Sequence, residues 1–207
     1  TPIPRTLNMA LAGMRDLSII ATPPARRLSV RTFVMEQQDA VIKEALLREL
    51  LRGGQVYYLH NDIDTMARTA EDIRKLVPDA RVGIAHGQMR ERELEQIMMD
   101  FYHRRFNLLV CTTIIESGID IPTANTIIMN RADKLGLAQL HQLRGRVGRG
   151  ENAAHFFAVR PGRVTPEARA RLDTLKRTSD GFEIAEADLS IRGPGEVFGV
   201  RQAGLPK

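Results

Sequence analysis

The segment from Gln142 to Arg149 reads Q-L-R-G-R-V-G-R and carries residue types suited to phosphate chemistry. Arg146 and Arg149 are three residues apart, so they lie on one face of a helix, or at a helix end that Gly148 loosens. An arginine supplied from outside a phosphate-binding loop stabilises the negative charge on a phosphoryl group during its transfer. The segment therefore predicts contact with the terminal phosphate of a nucleotide.

A dense positive charge surrounds this segment. Residues 139–177 hold nine lysines and arginines and three acidic residues, a net charge of +6. The whole chain has 30 basic and 25 acidic residues and a net charge of +5, so the positive charge is concentrated in this stretch. Such a concentration indicates a polyanion nearby, either nucleotide phosphate or a DNA backbone. A solvated basic helix face is the alternative interpretation.

The other groups that phosphoryl transfer needs are missing from the sequence. It has no G-x-x-x-x-G-K-[ST] loop and no Asp-Glu pair, so it cannot cradle β- and γ-phosphates and hold Mg²⁺ in the P-loop manner. The first residues, T-P-I-P-R-T, place two prolines where a natural start would have a strand or a cap. We therefore expect the chain to be a piece of a longer polypeptide that is inactive alone.

Composition excludes several classes of protein. With 207 residues, 43% of them hydrophobic, the chain can bury the core of one domain or of two small ones. No run approaches the roughly 18 apolar residues that a membrane span needs. The single cysteine, Cys111, rules out an internal disulfide framework and fits a reducing cytoplasm. Aromatic residues make up only 5%, so base stacking should not dominate nucleic-acid binding.

Strand-like and helix-like segments alternate along the chain and must position the residues of the Gln142–Arg149 segment. Short apolar runs predict strands over residues 17–21, 28–34, 55–59, 81–85, 106–111, 125–129 and 155–159. Helical spacing of apolar residues predicts helices over residues 39–52, 64–76, 90–103, 136–147 and from 166 onward, with Asp39 as the first cap. This alternation implies an α/β fold whose parallel sheet is covered by helices on both faces.

Ligands of such sheets gather at the loops that follow the carboxyl ends of the strands. The residues at those positions, all polar apart from Gly87, are His60, Asn61, Asp62, His86, Gly87, Gln88, Thr112 and Thr113. Past residue 161 the pattern changes, because an arginine-rich helix is followed by a tail rich in glycine and proline. We therefore expect one domain over residues 1–160 and a second, smaller one over 161–207.

Taken in order, these segments resemble the conserved motifs of superfamily-two helicases. The octapeptide ending at Arg149 matches Q-x-x-G-R-x-G-R, which is motif VI. Residues 111–122 resemble motif V, residues 55–62 resemble motif IV, and residues 86–89 resemble the short segment after it. The opening T-P-I-P-R resembles the end of motif III. The resemblance implies the second RecA-like lobe of a two-lobe motor.

The resemblance also implies a role for each motif residue. Arg146 and Arg149 would reach the γ-phosphate of ATP, which an absent first lobe would bind together with Mg²⁺. Gln142 would help to order that site, and Gly118 and Asp120 would flank the nucleotide. The residues expected to hold the phosphates of double-stranded DNA are His86, Gly87, Gln88, Thr112 and Thr113. A threonine pair after a buried strand is equally typical of a turn or a helix cap.

Two branches of the superfamily resemble different parts of the chain. Residues 1–150 resemble the branch that couples transcription to DNA repair, and the segment after residue 150 resembles the RecG branch, which remodels forks. Both branches share a translocation module, here a helical hairpin over residues 166–189 and a loop over 191–202. In that module Arg192, Arg201 and Gln202 would couple the motor to the duplex, although these residues also suit an ordinary surface loop.

The expected function is thus the C-terminal motor lobe of a cytoplasmic, ATP-dependent double-stranded DNA translocase acting in transcription-coupled repair. Its expected partners are DNA and the first lobe, with RNA polymerase and excision-repair proteins bound through domains outside this chain, and no membrane. A fork-reversing helicase lobe is one alternative. A non-catalytic DNA-binding or interaction module is another.

Overall fold

Short apolar runs between polar turns become strands in the computed structural model, which describes residues 30–113, 121–148 and 152–193. The strands are β1 (Arg31–Glu36), β2 (Gln55–Leu59), β3 (Val82–Ala85), β4 (Leu108–Cys111), β5 (Ala124–Met129) and β6 (His155–Arg160). Each of them overlaps a predicted strand. The strand predicted over residues 17–21 and the opening T-P-I-P-R segment lie outside the described residues.

Helices connect these strands, and each lies in a range where the sequence predicted a helix. They are α1 (Asp39–Leu51), α2 (Ile63–Leu76), α3 (Glu91–Tyr102), α4 (Leu137–Arg144), α5 (Pro166–Arg177) and α6 (Gly181–Arg192). A short 3₁₀ turn, Ala132–Lys134, precedes α4. The predicted alternation of strands and helices is confirmed.

The strands form one parallel six-stranded sheet in the order β1-β6-β5-β2-β4-β3. Side chains alternate between its two faces, as the period of a strand requires. On β4, Leu109 and Cys111 face a core that includes α3 to α6, whereas Leu108 and Val110 face a core built on α1 and α2. All four side chains are fully buried. The predicted parallel sheet with helices on both faces is therefore confirmed.

Two helix ends differ from the sequence prediction. Asp39 was expected to cap α1, but Gln38 is the N-cap and Asp39 is the first helical residue, where its carboxylate still interacts favourably with the helix dipole. The helix predicted to reach residue 147 ends at Arg144. Val147 is nevertheless buried, so the apolar periodicity that predicted a longer helix continues into the turn beyond it.

Helices α5 and α6 pack against each other and against the lobe. Thr165 caps α5 by accepting a hydrogen bond from the N–H of Ala168 at 3.1 Å, directly before the proline that starts the helix. Leu172 and Leu175 of α5 and Ile184 of α6 are buried in the same core as α3 and α4. The hairpin predicted after residue 161 thus shares its apolar core with the sheet.

Candidate nucleotide and nucleic-acid interface

Four neighbouring strands end at one level of the sheet, and the polar loops that follow them meet there. Leu59 of β2 pairs with Cys111 of β4 and with Met129 of β5, and Cys111 also pairs with Ala85 of β3. The next residues along the chain are His60, Thr112, Asn130 and His86. Parallel geometry therefore brings together the three loops that the sequence singled out and adds a fourth, at Asn130.

His60 joins these loops. Its backbone N–H donates to the carbonyl of Cys111 at 2.8 Å, and its ring Nδ1 lies 2.9 Å from the side-chain nitrogen of Asn130. Since Nδ1 accepts there, the ring proton is on Nε2, which lies 2.7 Å from Thr65 Oγ1. Burial lowers the pKa of His60, and the charge of Asp62 opposes that shift only in part. The ring is therefore neutral at pH 7.

The two threonines after β4 are held by the loops on either side. The backbone N–H of Thr113 donates to Asn61 Oδ1 at 2.9 Å, and that of Thr112 donates to the carbonyl of Ala85 at 3.3 Å. Both peptide donors are therefore used within the protein. The Thr112 hydroxyl is buried and no described residue hydrogen-bonds to it. A buried hydroxyl in that state costs free energy, because buried polar groups are normally paired.

Residues 86–89 form a tight turn after β3. The N–H of Met89 donates to the carbonyl of His86 at 3.1 Å, and the N–H of Gln88 donates to His86 Nδ1 at 3.3 Å. Gly87 and Gln88 are exposed, and a Cβ added to Gly87 would meet nothing within 4 Å. The turn therefore offers the Gly87 backbone and the Gln88 side chain to a ligand, while the Gln88 N–H is already in use.

We expect Gly87→Ala to leave the fold unchanged and to weaken DNA binding several-fold. The added methyl group has open space around it, so the free energy of unfolding should change by less than about 0.5 kcal/mol. A phosphate that approaches the bare backbone would meet that methyl group. Urea unfolding of the chain and fluorescence anisotropy of duplex binding measure the two effects. Equal affinity of the variant and the natural chain for DNA would contradict this assignment.

Acidification should loosen the loops around His60. Because its pKa in the folded state lies below the ordinary 6.5, the unfolded chain binds the proton more tightly, and stability falls as the pH drops below that value. A protonated Nδ1 also cannot accept from Asn130. We expect the urea midpoint to fall less steeply from pH 7.5 to 5.5 in His60→Gln than in the natural chain. The control is His103→Gln, which replaces an exposed histidine and should keep the pH dependence of the natural chain. If the urea midpoint of His60→Gln fell with pH as steeply as that of the natural chain, His60 would not be the group that loosens the loops.

Helix α4 carries the predicted arginine pair to a helix end. It ends at Arg144 with Gly145 as its C-cap, and Gly148 has φ = +81°, a left-handed conformation that glycine adopts at little cost. Arg146 lies in the turn between these glycines and is exposed, as is Gln142 on the helix. Of the two placements that the sequence allowed for Arg146, the loosened helix end is the one observed.

The charge of Arg146 acts at the carboxyl end of β4. Cys111, the last residue of that strand, is fully buried, and burial raises the pKa of its thiol while the charge of Arg146 acts in the opposite direction. The exposed arginine and the threonine loop therefore belong to the same region of the lobe. Burial also makes the Cys111 thiol unreactive.

Arg144 is a central residue of this region that the sequence analysis did not single out. It is 4% exposed, and its guanidinium donates to the carbonyl of Leu175 at 2.6 Å and to Thr32 Oγ1 at 3.3 Å. A third contact, of 2.8 Å, joins it to His141 Nδ1. Burial lowers the pKa of Arg144. The guanidinium nevertheless stays charged, because the ordinary pKa of an arginine is far above neutral. One side chain thus connects α4 to α5 and to β1.

A second arginine also fastens the hairpin to the lobe. Arg171 of α5 donates to the carbonyl of Asp133 at 2.8 Å and to that of Leu135 at 3.1 Å, just before α4. At the far end of α6, Arg192 pairs with Asp188 at 3.2 Å. A Cβ on Gly136, the N-cap of α4, would lie 2.9 Å from the Arg192 guanidinium. Arg192, a predicted coupling residue, therefore lies against the start of the arginine-bearing helix.

Five of the predicted site residues lie outside the described ranges. They are Gly118, Asp120, Arg149, Arg201 and Gln202. In the described part of the chain, no three His, Cys, Asp or Glu side chains are grouped so that they could hold a metal ion. Within those same ranges, no helix is both long and apolar enough to cross a membrane.

A parallel six-stranded sheet with helices on both faces is the fold of a RecA-like helicase C-terminal lobe. The helicase conserved C-terminal domain family matches residues 38–151, and the chain belongs to it. The C-terminal part of domain 3 of the ATP-dependent DNA helicase RecG matches residues 178–206.

The chain is similar along nearly its whole length to bacterial transcription-repair-coupling factors. It is 62% identical to that of Escherichia coli and 61% identical to that of Haemophilus influenzae, in each case over 99% of this chain. It spans only 18% of either relative. Among solved structures, RecG bound to a three-way DNA junction matches 84% of this chain and 24% of its own, with 39% identity and a TM-score of 0.72.

Proposed function

We propose that this chain is the second motor lobe of an ATP-dependent double-stranded DNA translocase that acts in transcription-coupled repair. The observation that carries the proposal is the exposed Arg146 at the loosened end of α4, whose charge acts on the buried thiol at the carboxyl end of β4. Identity of 61–62% to two transcription-repair-coupling factors supports this function over other uses of the same fold. The parent protein would work in the cytoplasm.

The nucleotide would lie between this lobe and a first lobe. The chain has no phosphate-binding loop of its own, so ATP and its Mg²⁺ would be held mainly by the first lobe. Arg146 and Arg149 would stabilise the charge on the γ-phosphate, with Gln142 ordering the site. Gly118 and Asp120 would flank the nucleotide. Hydrolysis removes the charge that the arginines bind, and the cleft would then reopen.

The loops after β3 and β4 would hold the phosphates of one DNA strand. The peptide N–H groups of Thr112 and Thr113 are already in use and the Thr112 hydroxyl is buried, so a phosphate oxygen would reach that hydroxyl only after the loop moves. Thr113, His86, Gly87 and Gln88 would complete the contact. Phosphate contacts carry no sequence information, which suits a protein that moves along any DNA.

The hairpin and the loop after it would turn closure of the cleft into movement along the duplex. Arg144 and Arg171 fasten α5 to α4 and its entry turn, and Arg192 lies at the start of α4. A shift of α4 against the nucleotide would therefore move the hairpin with it. Arg201 and Gln202 would transmit that shift to DNA.

Gln202→Ala in the parent-length protein tests the coupling. If Gln202 transmits the stroke, the variant keeps its DNA-stimulated ATP hydrolysis and loses the ability to displace a triplex-forming strand. Loss of both activities together, or of neither, would count against the role. The natural parent, assayed beside it, sets the reference for both activities.

A fork-reversing lobe is the second candidate function. The similarity of residues 178–206 to RecG, and the likeness to RecG bound to a three-way junction, favour it. The parent protein distinguishes the two, because a repair-coupling translocase would displace stalled RNA polymerase and recruit excision-repair proteins. A fork remodeller would instead unwind three-way junctions without polymerase.

A non-catalytic DNA-binding module is the third candidate. It predicts weak, salt-dependent duplex binding and no ATP hydrolysis even when the first lobe is supplied. The motor function predicts that the first lobe restores DNA-stimulated hydrolysis to this chain.

A further inference from the structure

Part of the dense positive charge over residues 139–177 is not used by the proposed motor function. Five of its nine basic residues are engaged inside the lobe or assigned to the nucleotide, namely Arg144, Arg146, Arg149, Arg171 and Arg177. The other four are Arg160, Arg163, Arg169 and Lys176. The proposed nucleotide and DNA contacts leave these four residues without a role.

Three of these four residues line one pocket. Arg160, Arg169 and Lys176 surround an opening of about 180 Å³ between α5 and strands β1 and β6. Arg169 and Lys176 are seven residues apart on α5, so they lie on one face of the helix, and both are exposed. Arg160, the last residue of β6, lines the pocket from the sheet. We call these three residues the α5 basic patch.

The α5 basic patch keeps its positive charge available to a ligand. Within the part of the chain that the structure describes, the side chains of Arg169 and Lys176 make no hydrogen bond or ion pair. Asp173 also lines the pocket without pairing with either of them, which leaves the lining with a formal charge of +2. Arg160 is held in place, because its Nη1 donates to the carbonyls of Pro161 and Gly162 at 2.9 and 3.3 Å.

Two further charges flank the α5 basic patch and offset each other. The Glu36 carboxylate lies next to Gly162, where an added Cβ would be 2.9 Å from it, and Arg163 is exposed beside that glycine. The excess of positive charge in the pocket therefore remains. Such an excess attracts an anion, and arginines pair with two oxygens of a phosphate at once.

The α5 basic patch lies at the same edge of the sheet as the loops that would hold DNA. Ala158 of β6 pairs with Met129 of β5, at the level where β2 and β4 end, and Arg160 lies two residues further in the same direction. Three strand spacings of about 4.8 Å separate β6 from β4, which amounts to about 14 Å. Duplex DNA advances by that distance in about four base pairs.

We propose that the α5 basic patch binds a backbone phosphate of the same DNA duplex, about four base pairs from the phosphates at the loops after β3 and β4. The proposal rests on the proposed function, which supplies the duplex. The contact would lengthen the DNA track of the lobe without reading its sequence. Since Arg169 and Lys176 belong to α5, a movement of the hairpin would carry the bound phosphate with it.

The test compares two double variants of the parent-length protein, Arg169→Gln with Lys176→Gln on α5 and Arg68→Gln with Lys75→Gln on α2. Each removes one arginine and one lysine, seven residues apart, from an exposed helix face, so both change the net charge equally. Fluorescence anisotropy measures duplex binding over a range of salt concentrations, and urea unfolding checks that both variants stay folded.

We expect the α5 double variant to bind the duplex several-fold more weakly. The slope of log affinity against log salt concentration should become shallower by about 0.9, which corresponds to one lost phosphate contact. The α2 double variant is the matched control and should keep both the affinity and the slope of the natural protein.

Three outcomes would overturn the proposal. Equal losses in the two double variants would attribute the effect to net charge alone, and an unchanged slope in the α5 double variant would exclude a phosphate contact. If a polyglutamate peptide bound the natural protein and lost affinity in the α5 double variant while duplex binding stayed the same, the patch would belong to an acidic protein segment.

Gly87→Ala, measured in the same assay, separates this proposal from the proposed function. If Gly87→Ala weakens duplex binding and the α5 double variant does not, only the α5 basic patch is assigned wrongly. If neither changes duplex binding, the DNA contact assigned to the loops is wrong as well.

Discussion

Arg146→Ala in the parent-length protein is expected to lower DNA-stimulated ATP turnover by about a thousandfold. The exposed guanidinium lies at the loosened end of α4, whereas the guanidinium of Arg144 at the same helix end is buried. Binding of ATP should persist, because the first lobe would hold most of the nucleotide. Steady-state hydrolysis and equilibrium binding of a fluorescent ATP analogue separate the two effects.

Two variants control that experiment. Arg68→Ala removes an exposed arginine from α2, on the opposite face of the sheet, and should leave turnover unchanged. Arg146→Lys keeps the charge without the planar fork, so it should recover only part of the activity. Near-normal ATP turnover by Arg146→Ala would show that Arg146 does not take part in hydrolysis.

Arg144→Ala is expected to destabilise the chain by about 3 kcal/mol. Removal of its guanidinium leaves the buried carbonyl of Leu175 unpaired and breaks the connections from α4 to α5 and β1. The loss also creates a cavity where a long side chain was packed. Urea unfolding followed by circular dichroism measures the change.

The control for Arg144→Ala is Arg177→Ala, which removes an exposed arginine from the same hairpin. Its ion pair with Glu183, at 3.5 Å, is on the surface, so the free energy of unfolding should change by less than about 1 kcal/mol. If Arg144→Ala and Arg177→Ala lower the free energy of unfolding by the same amount, the buried contacts of Arg144 do not hold the hairpin to the lobe.

Local patterns predicted the sheet well. Strand β2 has the predicted bounds, because a short buried run stands between the Gly53-Gly54 turn and the polar residues from His60 onward. The carboxyl-edge loops followed from the same pattern, since parallel strands bring their ends together. The bounds of α4 were harder to predict, because Val147 continues the apolar spacing of a helix that has already ended.

Contacts between distant parts of the chain could not be predicted. Arg144 looked like one more basic residue, yet its partners Leu175 and Thr32 lie 31 and 112 residues away. Asn130 follows β5 without any motif, and only the sheet order places it against His60. The cavity of about 510 Å³ between α1 and α2, which Tyr58 and Asn130 line, likewise depends on how these two helices are spaced across β2, which no local pattern records.

The most direct test of the central claim follows a thiol placed at the arginine position. Cys111 is the only cysteine of this chain and is fully buried, so Arg146→Cys adds a single accessible thiol once cysteines elsewhere in the parent are replaced. We predict that a non-hydrolysable ATP analogue slows maleimide labelling of that thiol strongly relative to ADP, while Arg68→Cys is labelled equally in both states. Equal labelling of Arg146→Cys with either nucleotide would contradict the account.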